Sequence, residues 1–194
     1  NYSISPIQQY SYTTGKNSTD SALIIDAMDI LYSNNVDGFC IVSSDSDFTK
    51  LASRLREAGM YVIGMGEKKT PTPFISACEK FKYLEVLASM AQKHVETTST
   101  KGAQIQDESK VGMTSSNKLI EAIKTIITEI SDEDGWVFLG ELGSSLNKRY
   151  PDFDTRNYGY TKLTPFVASL NLFEIRSIKT SNPSISLKYI RNKE

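Results

Sequence analysis

The sequence predicts two folded domains: an α/β domain built on a parallel sheet, and a smaller C-terminal winged-helix domain of three helices and a β-hairpin. Two apolar runs without alternation, 38–43 and 61–65, flank a segment of helical periodicity, which is typical of buried parallel strands joined by a helix. Farther along, three helical stripes precede two segments that alternate as strands do. A polar stretch between the two regions indicates a domain boundary.

The polar stretch spans residues 92–116 and is rich in Thr, Ser, Lys, Glu and Gln, without an aromatic residue. Such a composition cannot bury enough apolar surface to offset the entropy lost on ordering. We therefore expect a flexible linker over 92–116, an N-terminal domain over 1–91 and a C-terminal domain over 117–194.

Helices and strands are expected to alternate along the first domain. Thr19 is predicted to cap the first helix. The apolar face of that helix is predicted to carry Leu23, Ala27, Ile30 and Leu31. A second helix lies between the two strands and ends at Gly59. After Pro71 and Pro73 we expect a short helix over 75–79, and 82–86 reads as either a last strand or the start of a helix.

The second domain begins with three helical stripes. Their apolar positions are Leu119, Ile123, Ile126, Ile127 and Ile130; then Leu139, Leu142, Leu146 and Tyr150; then Leu163, Phe166, Val167 and Leu170. The closing segment changes period. Phe173 and Ile175 alternate on one side of a turn expected at 181–183, and Ile185, Leu187 and Tyr189 alternate on the other.

The composition of the chain limits the kinds of partner that it can bind. The chain has 22 Lys and Arg against 23 Asp and Glu, so any binding to nucleic acid must come from a local surface. Its apolar runs are too short to cross a bilayer and its start does not resemble a signal peptide, so we expect a cytoplasmic protein without a membrane partner.

The residue types available for catalysis are equally restricted. We expect Cys40 and Cys78 to be buried free thiols, because they lie in apolar segments without metal-ligand spacing. A single histidine, His94, argues against histidine triads and multi-histidine metal sites. No glycine-rich phosphate loop follows either predicted strand, which argues against a nucleotide-binding domain. Any chemistry must therefore come from carboxylates.

Two carboxylates, Asp45 and Asp47, follow the strand over 38–43 and precede a helix. Side chains in that position emerge at the carboxyl edge of a parallel sheet, where α/β proteins place their sites. Their oxygens suit a hard divalent cation. Spacing alone leaves an alternative equally open, namely that Asp47 or Ser46 only caps the helix.

A third carboxylate, Asp20, lies in the first turn of the preceding helix, close to Lys16 and Asn17. An acidic residue there also suits the helix dipole, so alone it would mean little. Asp26 and Asp29 lie on other sides of the helix and are expected to face solvent, with Asp26 kept as a weaker candidate.

These residues carry a resemblance to a known family. Segments 15–29 and 39–48, continued by 51–59, 62–66 and 70–84, look like the LabA-like branch of NYN domains, which are similar to PIN nucleases. The resemblance implies a PIN-like Rossmannoid parallel sheet flanked by helices, and a site where Mg²⁺ or Mn²⁺ assists cleavage of RNA. It makes Asp20, Asp45 and Asp47 the metal-binding and catalytic candidates, with Lys16, Ser43 and Ser44 holding the scissile phosphate.

The chain departs from that family at its start. NYN and PIN domains usually open with a strand that ends in an Asp-x-x-Asn motif and supplies a leading metal ligand. The first acidic residue here is Asp20. We expect that strand and its carboxylate to be missing, which lowers the metal affinity that the resemblance implies. The resemblance also leaves homodimerisation open.

The second domain carries its own resemblance. Segments 134–143 and 150–163 closely resemble the LOTUS (OST-HTH) domain, a winged helix that binds RNA. The candidate RNA contacts interleave with aromatic residues and are Lys148, Arg149, Arg156 and Lys162. The aromatic residues, namely Trp136, Phe153 and at least one of Tyr158 and Tyr160, are expected to fill the core or to lock loops.

Two functions fit these predictions. The first is a metal-dependent ribonuclease whose LOTUS domain raises the local concentration of RNA. The alternative is a catalytically inactive RNA-binding or scaffold protein with a PIN-like fold.

Overall fold

The structure is a computed structural model that describes residues 4–10, 18–93, 116–179 and 186–193, with the backbone alone for 90–93. Lys16, His94, the predicted turn at 181–183 and most of the predicted linker lie outside the described residues. Within them, no helix is both long and apolar enough to cross a bilayer.

The first domain alternates helices and strands in the predicted order. Its elements are α1 (Ser18–Ser33), β1 (Gly38–Val42), a 3-10 turn (Ser46–Phe48), α2 (Thr49–Glu57), β2 (Tyr61–Gly66), α3 (Thr72–Ala77), β3 (Lys80–Tyr83) and α4 (Leu84–Lys93). The three strands are parallel and lie in the order β1-β2-β3. This confirms the α/β fold class, and the segment read as a strand or a helix start contains both.

Two local features explain how these elements form. Gly59 has φ 83°, and its N–H donates to the carbonyl of Arg56 at 2.8 Å, which ends α2. A Cβ at Gly64 would lie 2.6 Å from the ring of Phe81 and 2.7 Å from Sγ of Cys78, so a residue without a side chain lets β3 pack closely beside β2. The short helix begins at Thr72, earlier than predicted, because Pro73 is tolerated in a first turn.

The predicted apolar face of α1 was partly wrong: Ala27 and Leu31 contact the core as expected, but Leu23 and Ile30 do not. The helix begins at Ser18, so Thr19 lies inside it, and the residues that contact the core are Ala27 with Ile24, Met28 and Leu31. Leu23 and Ile30 remain 39% and 44% exposed. Apolar residues occur almost all around α1, and a pattern of that kind does not select one buried face.

The cysteines are free, but only one is buried. Cys78 lies in the core, and burial raises the pKa of its thiol to about 12. Cys40 is exposed, contrary to the prediction. Its strand, β1, forms one edge of the sheet, and successive residues of a strand point to opposite faces. Ile41 therefore contacts the core and Cys40 does not.

The second domain contains helices and a small antiparallel sheet, as predicted. Its elements are α5 (Ser116–Ile130), β4 (Val137–Phe138), α6 (Leu139–Arg149), a 3-10 turn (Thr155–Tyr158), α7 (Leu163–Ser169), β5 (Phe173–Lys179) and β6 (Ser186–Asn192). The strand order is β4-β6-β5. The helical stripes bury most of the predicted apolar residues in one core, and Ile130, Tyr150, Leu163 and Leu170 pack against it partly buried. Helix α4 reaches Lys93 and α5 begins at Ser116, so both ends of the predicted linker are helical. The boundaries of the two domains and of the linker stay a prediction.

The strand register shows which faces of the hairpin strands contact the core. Ile175 lies opposite Ile190, and Arg176 lies opposite Tyr189. Residues that pair across two strands share a face, so Tyr189 points away from the face that carries Ile175 and Ile190. Ile190 is fully buried, whereas Tyr189 is not. Alternation separated the two faces of each strand but did not show which face contacts the core.

The two domains meet along the outer edge of β3. The N–H of Phe81 donates to the carbonyl of Pro151 at 2.8 Å, and the hydroxyl of Tyr83 donates to Oδ2 of Asp152 at 2.9 Å. Lys82 forms an ion pair with Asp154 at 2.5 Å. An unpaired strand edge exposes backbone hydrogen-bonding groups. The second domain covers that edge and satisfies part of it.

Burial and neighbouring charges shift the pKa values of two groups in this contact. Burial, with the carboxyl of Asp152 beside it, raises the pKa of the Tyr83 hydroxyl, which keeps it a donor at neutral pH. Burial alone would raise the pKa of Asp154, but hydrogen bonds from Lys82 and Arg156 outweigh it and lower that pKa. Asp154 is thus held as an anion between one cation of each domain.

Tyr83→Phe should weaken the domain contact. The substitution removes the hydrogen bond to a buried carboxylate, and bonds to charged groups are worth about 1.5–3 kcal/mol. We expect the free energy of unfolding in urea to fall by roughly that amount. Tyr61→Phe, at a tyrosine that is 44% exposed, is the matched control. Equal stability of Tyr83→Phe and the wild type would contradict this role.

Candidate functional site

The loop after β1 is held in place by hydrogen bonds from its own backbone and from β2. The N–H of Ser43 donates to the carbonyl of Met65 at 2.8 Å, which continues the pairing of β1 with β2. The N–H of Asp45 donates to Oγ of Ser43 at 3.1 Å, and the N–H of Glu67 donates to Oγ of Ser44 at 2.9 Å. Both serine hydroxyls therefore position the loop.

Asp45 caps the 3-10 turn that follows. Its backbone is extended, with φ −90° and ψ 131°, and its Oδ1 accepts the N–H of Asp47 at 2.9 Å. The alternative that Asp47 or Ser46 supplies the cap was wrong. Capping uses one oxygen of Asp45 and fixes the direction of its carboxylate, so the other oxygen can still bind a ligand.

Three carboxylates from two separate segments meet at this edge of the sheet. One oxygen of each of Asp20, Asp45 and Asp47 lies within 4.8 Å of the other two. Asp20 reaches the loop because it stands in the first turn of α1, and α1 packs against the 3-10 turn. Asp45 and Asp47 are exposed and Asp20 is half-buried, so an ion from solvent can enter.

The donor set fits a hard divalent cation. Mg²⁺ takes oxygen ligands at about 2.0–2.1 Å, so two ligands on opposite sides of the ion are roughly 4 Å apart. Carboxylate oxygens within 4.8 Å of one another need only small rotations to reach that spacing. Without a cation, three negative charges at this distance repel one another. Carboxylates, bound water and substrate oxygens are also the ligands that Mg²⁺ and Mn²⁺ prefer.

The remaining predicted residues of this site have different outcomes. Ser43 and Ser44 lie in the loop and are half-buried. Lys16 lies outside the described residues. Asp26 does not join the acidic group. It lines a separate cavity of about 390 Å³ between α1 and β1, together with Leu23 and Ile30.

The predicted RNA contacts of the second domain lie beside the domain junction. Lys148 and Arg149 line a cavity of about 370 Å³, and Arg156 and Lys162 line another of about 310 Å³. Asn147, Pro151 and Lys80 border both cavities. Arg149 forms an ion pair with Glu129, and Arg156 pairs with Asp154 at 3.0 Å.

The first domain contributes two cations that sequence reasoning missed. Lys80 and Lys82 lie on β3 and line the same junction cavity as Lys162. No carboxylate in the described part of the chain forms an ion pair with Lys80, Lys148 or Lys162. The alternation Lys80-Phe81-Lys82-Tyr83 was the available signal, because it places both lysines on one face of a strand.

The aromatic residues that were expected to fill the core or to lock loops lie in two places. Phe153 is buried, and Tyr158 and Tyr160 pack against the same core, as expected. Trp136 lies outside that core. Its ring instead contacts the guanidinium groups of Arg176 and Arg191.

Comparison with known proteins identifies both halves of the chain. Residues 1–85 match the family model of the NYN domain, and residues 114–185 match that of the OST-HTH/LOTUS domain. No curated protein matches the chain.

Two solved structures are similar in sequence. The solution NMR structure of an uncharacterized protein from Nitrosomonas europaea is 30% identical over 50% of this chain and 93% of that chain, with a TM-score of 0.36. The solution NMR structure of a protein from Chromobacterium violaceum is 30% identical over 38% of this chain and 78% of that chain, with a TM-score of 0.31.

Mn²⁺ should stabilise the folded protein through the acidic group. At a free concentration near 100 times its Kd, an ion that binds only the native state adds about 2.7 kcal/mol to the free energy of unfolding. Asp47→Asn should remove most of that gain, and without metal it should not destabilise the protein, because it relieves repulsion. Urea denaturation with and without Mn²⁺ measures both effects.

Asp29→Asn is the matched control, because Asp29 is exposed on α1 and does not belong to the acidic group. It should keep the full gain from Mn²⁺. A gain that is the same in Asp47→Asn as in the wild type would exclude metal binding by this group.

Proposed function

Because the chain combines an NYN domain with an OST-HTH/LOTUS domain and is thus a nuclease-type RNA-binding protein, we propose that it hydrolyses RNA phosphodiester bonds in a metal-dependent reaction. The observation that carries this proposal is the meeting of Asp20, Asp45 and Asp47 within 4.8 Å at the carboxyl edge of the parallel sheet. NYN and PIN-like nucleases generally depend on divalent metals.

The residues of the site have distinct roles in this proposal. The three aspartates would hold Mg²⁺ or Mn²⁺, and a bound ion supplies a Lewis acid and an activated water at a phosphodiester. The hydroxyls of Ser43 and Ser44 accept backbone N–H groups, so their own O–H bonds can donate to a phosphate oxygen. Lys16 is proposed to contact the same phosphate.

The second domain is proposed to hold the RNA. Lys148 and Lys162 are exposed and have no ion-pair partner among the described residues, which makes them the stronger phosphate contacts. Arg149 and Arg156 already form ion pairs with carboxylates. Each guanidinium has further N–H groups that can donate to an RNA phosphate. Because residues 151–154 dock on β3, RNA bound there lies beside the first domain, at a raised effective concentration.

A second candidate is an RNA-binding protein without catalysis. The acidic group of the described residues holds three carboxylates, and Oδ1 of Asp45 already accepts a backbone N–H. Fewer anionic ligands lower the affinity for a divalent cation. In that case the acidic edge has a structural role and the second domain alone accounts for function.

Asp45→Asn should abolish cleavage and preserve RNA binding. The amide oxygen of asparagine can still cap the 3-10 turn, but it has lost the charge that holds the cation. Labelled RNA incubated with the protein and Mn²⁺ should give shorter products with the wild type, and at least about 100-fold fewer with Asp45→Asn.

Asp29→Asn and a reaction containing a chelator are the controls for this assay. Binding of the intact RNA, measured by anisotropy, should be equal in the wild type and both variants. Binding without products in the wild type would support the non-catalytic candidate. Products that persist at full yield in Asp45→Asn would rule out this site.

Lys148→Glu and Lys162→Glu should each weaken RNA binding. Loss of one phosphate contact lowers the dependence of log K on log salt concentration by about 1. Arg54→Glu, at an exposed arginine of α2, is the matched control and should change neither affinity nor salt dependence. Fluorescence anisotropy over a series of salt concentrations measures both. Unchanged slopes in both lysine variants would contradict the proposed RNA surface.

A further inference from the structure

The sheet of the second domain has an outer face that the core does not use. The register places Phe138, Tyr189 and Arg176 side by side across β4, β6 and β5 on this face. Ile190 and Val137, on the opposite face, are buried in the core. Phe138 remains 40% exposed and Arg176 is exposed. Large aromatic and cationic side chains therefore lie at the surface in one row.

Arginine and tryptophan side chains form the second part of this face. The guanidinium of Arg176 lies 4.6 Å from the ring centre of Trp136, and that of Arg191 lies 5.0 Å from it. These are cation–π distances. The flat guanidinium group of Arg176 is thereby held against an aromatic ring while the side chain stays exposed.

The aromatic pair beside them is similarly ordered. The rings of Phe138 and Tyr189 have centroids 5.9 Å apart, at an interplanar angle of 57°. Aromatic pairs at such distances hold each other in a defined orientation. Side chains that are ordered before a ligand arrives lose little entropy when it binds.

The charge of the surrounding strands favours an anionic ligand. The described residues 173–179 and 186–193 contain five basic residues and one acidic residue, Glu174. By the strand register Arg176 and Arg191 lie on the outer face, whereas Lys179 and Lys188 lie on the face of Ile175 and Ile190. Glu174 is paired with Arg191 at 2.6 Å. The chain as a whole carries a net charge of −1, so this concentration of positive charge is local.

We propose that this outer face, formed by Trp136, Phe138, Arg176, Tyr189 and Arg191, is a stacking surface for unpaired bases of single-stranded RNA. Bases stack on aromatic rings and on guanidinium planes, and cationic side chains beside them neutralise the phosphates. A duplex cannot use such a surface, because its bases are already stacked on one another. The proposal rests on the proposed RNA binding and adds the class of RNA: unpaired strands.

This face is separate from the cations at the domain junction. The junction cavities are lined by residues 143–163 and by first-domain residues between Arg56 and Lys82, whereas the outer face lies on the sheet of β4, β5 and β6. Both surfaces supply charge, but only the outer face combines it with a row of aromatic rings across three strands. The two surfaces can therefore be tested independently.

Trp136 is a built-in reporter for this proposal, because it is the only tryptophan of the chain. An oligoadenylate of about 12 nucleotides, a length within the usual range of single-strand sites, is titrated into the full chain without metal. We expect saturable quenching of Trp136 fluorescence, with the same Kd as the anisotropy of the labelled oligonucleotide. An RNA duplex of the same length should leave the fluorescence unchanged.

Substitutions on the face should weaken binding of the single strand. Loss of one stacking contact costs about 1–3 kcal/mol, so Tyr189→Ala and Arg176→Ala should each raise Kd about 5-fold or more. The matched controls are Tyr32→Ala and Arg54→Ala, at exposed residues of the first domain, and they should leave Kd unchanged. Thermal unfolding checks that each variant folds. If Tyr189→Ala does not fold, Arg176→Ala still tests the proposal, because Arg176 is exposed.

The outcomes separate this proposal from the proposed function. Binding by anisotropy without a change in Trp136 fluorescence, or with unchanged Kd in both face variants, overturns the stacking surface and leaves RNA binding intact. A dimer in sedimentation that Tyr189→Ala converts to a monomer also overturns it, since the face would then join two copies. A wild type that binds neither RNA overturns both proposals.

Discussion

Parallel pairing of β1 with β2 is the constraint on which the acidic site depends. In a parallel sheet all strands end at one edge, so the loops that follow them share a single location. The hydrogen bond from Ser43 to Met65 carries that pairing into the loop, and the serine hydroxyls hold the backbone there. Asp45 and Asp47 thus have fixed positions before a ligand arrives, and α1 brings Asp20 to them from outside the sheet.

The outer edge strand of the same sheet, β3, determines how the two domains are arranged. The N–H of Phe81 is satisfied by Pro151, and the buried pair of Tyr83 and Asp152 excludes water from the contact. Separating the two domains would leave this buried carboxylate without its hydrogen-bond donor. The pair therefore strongly favours one position of the second domain relative to the first. The cations of both domains therefore border common cavities.

The distribution of charge on the surface follows from these two features of the sheet. Negative charge is concentrated after β1 and positive charge at β3 and the second domain, although the whole chain is nearly neutral. Such a separation lets a polyanion bind at one place while a cation binds at another. The outer face of the second sheet adds aromatic surface that charge alone does not provide.

The sequence by itself determined the order of helices and strands, the two families, and the three aspartates, because periodicity and strand-to-helix junctions are local properties. It did not determine which side of α1 is buried, since apolar residues surround that helix, or which face of β6 contacts the core, since alternation is symmetric. The exposure of Cys40 and the role of Lys80 and Lys82 likewise depend on neighbours distant in the chain. The cap at Asp45 is a local contact, but spacing alone did not single out that residue. Only tertiary packing brings those neighbours together, and with them the domain junction and the outer aromatic face.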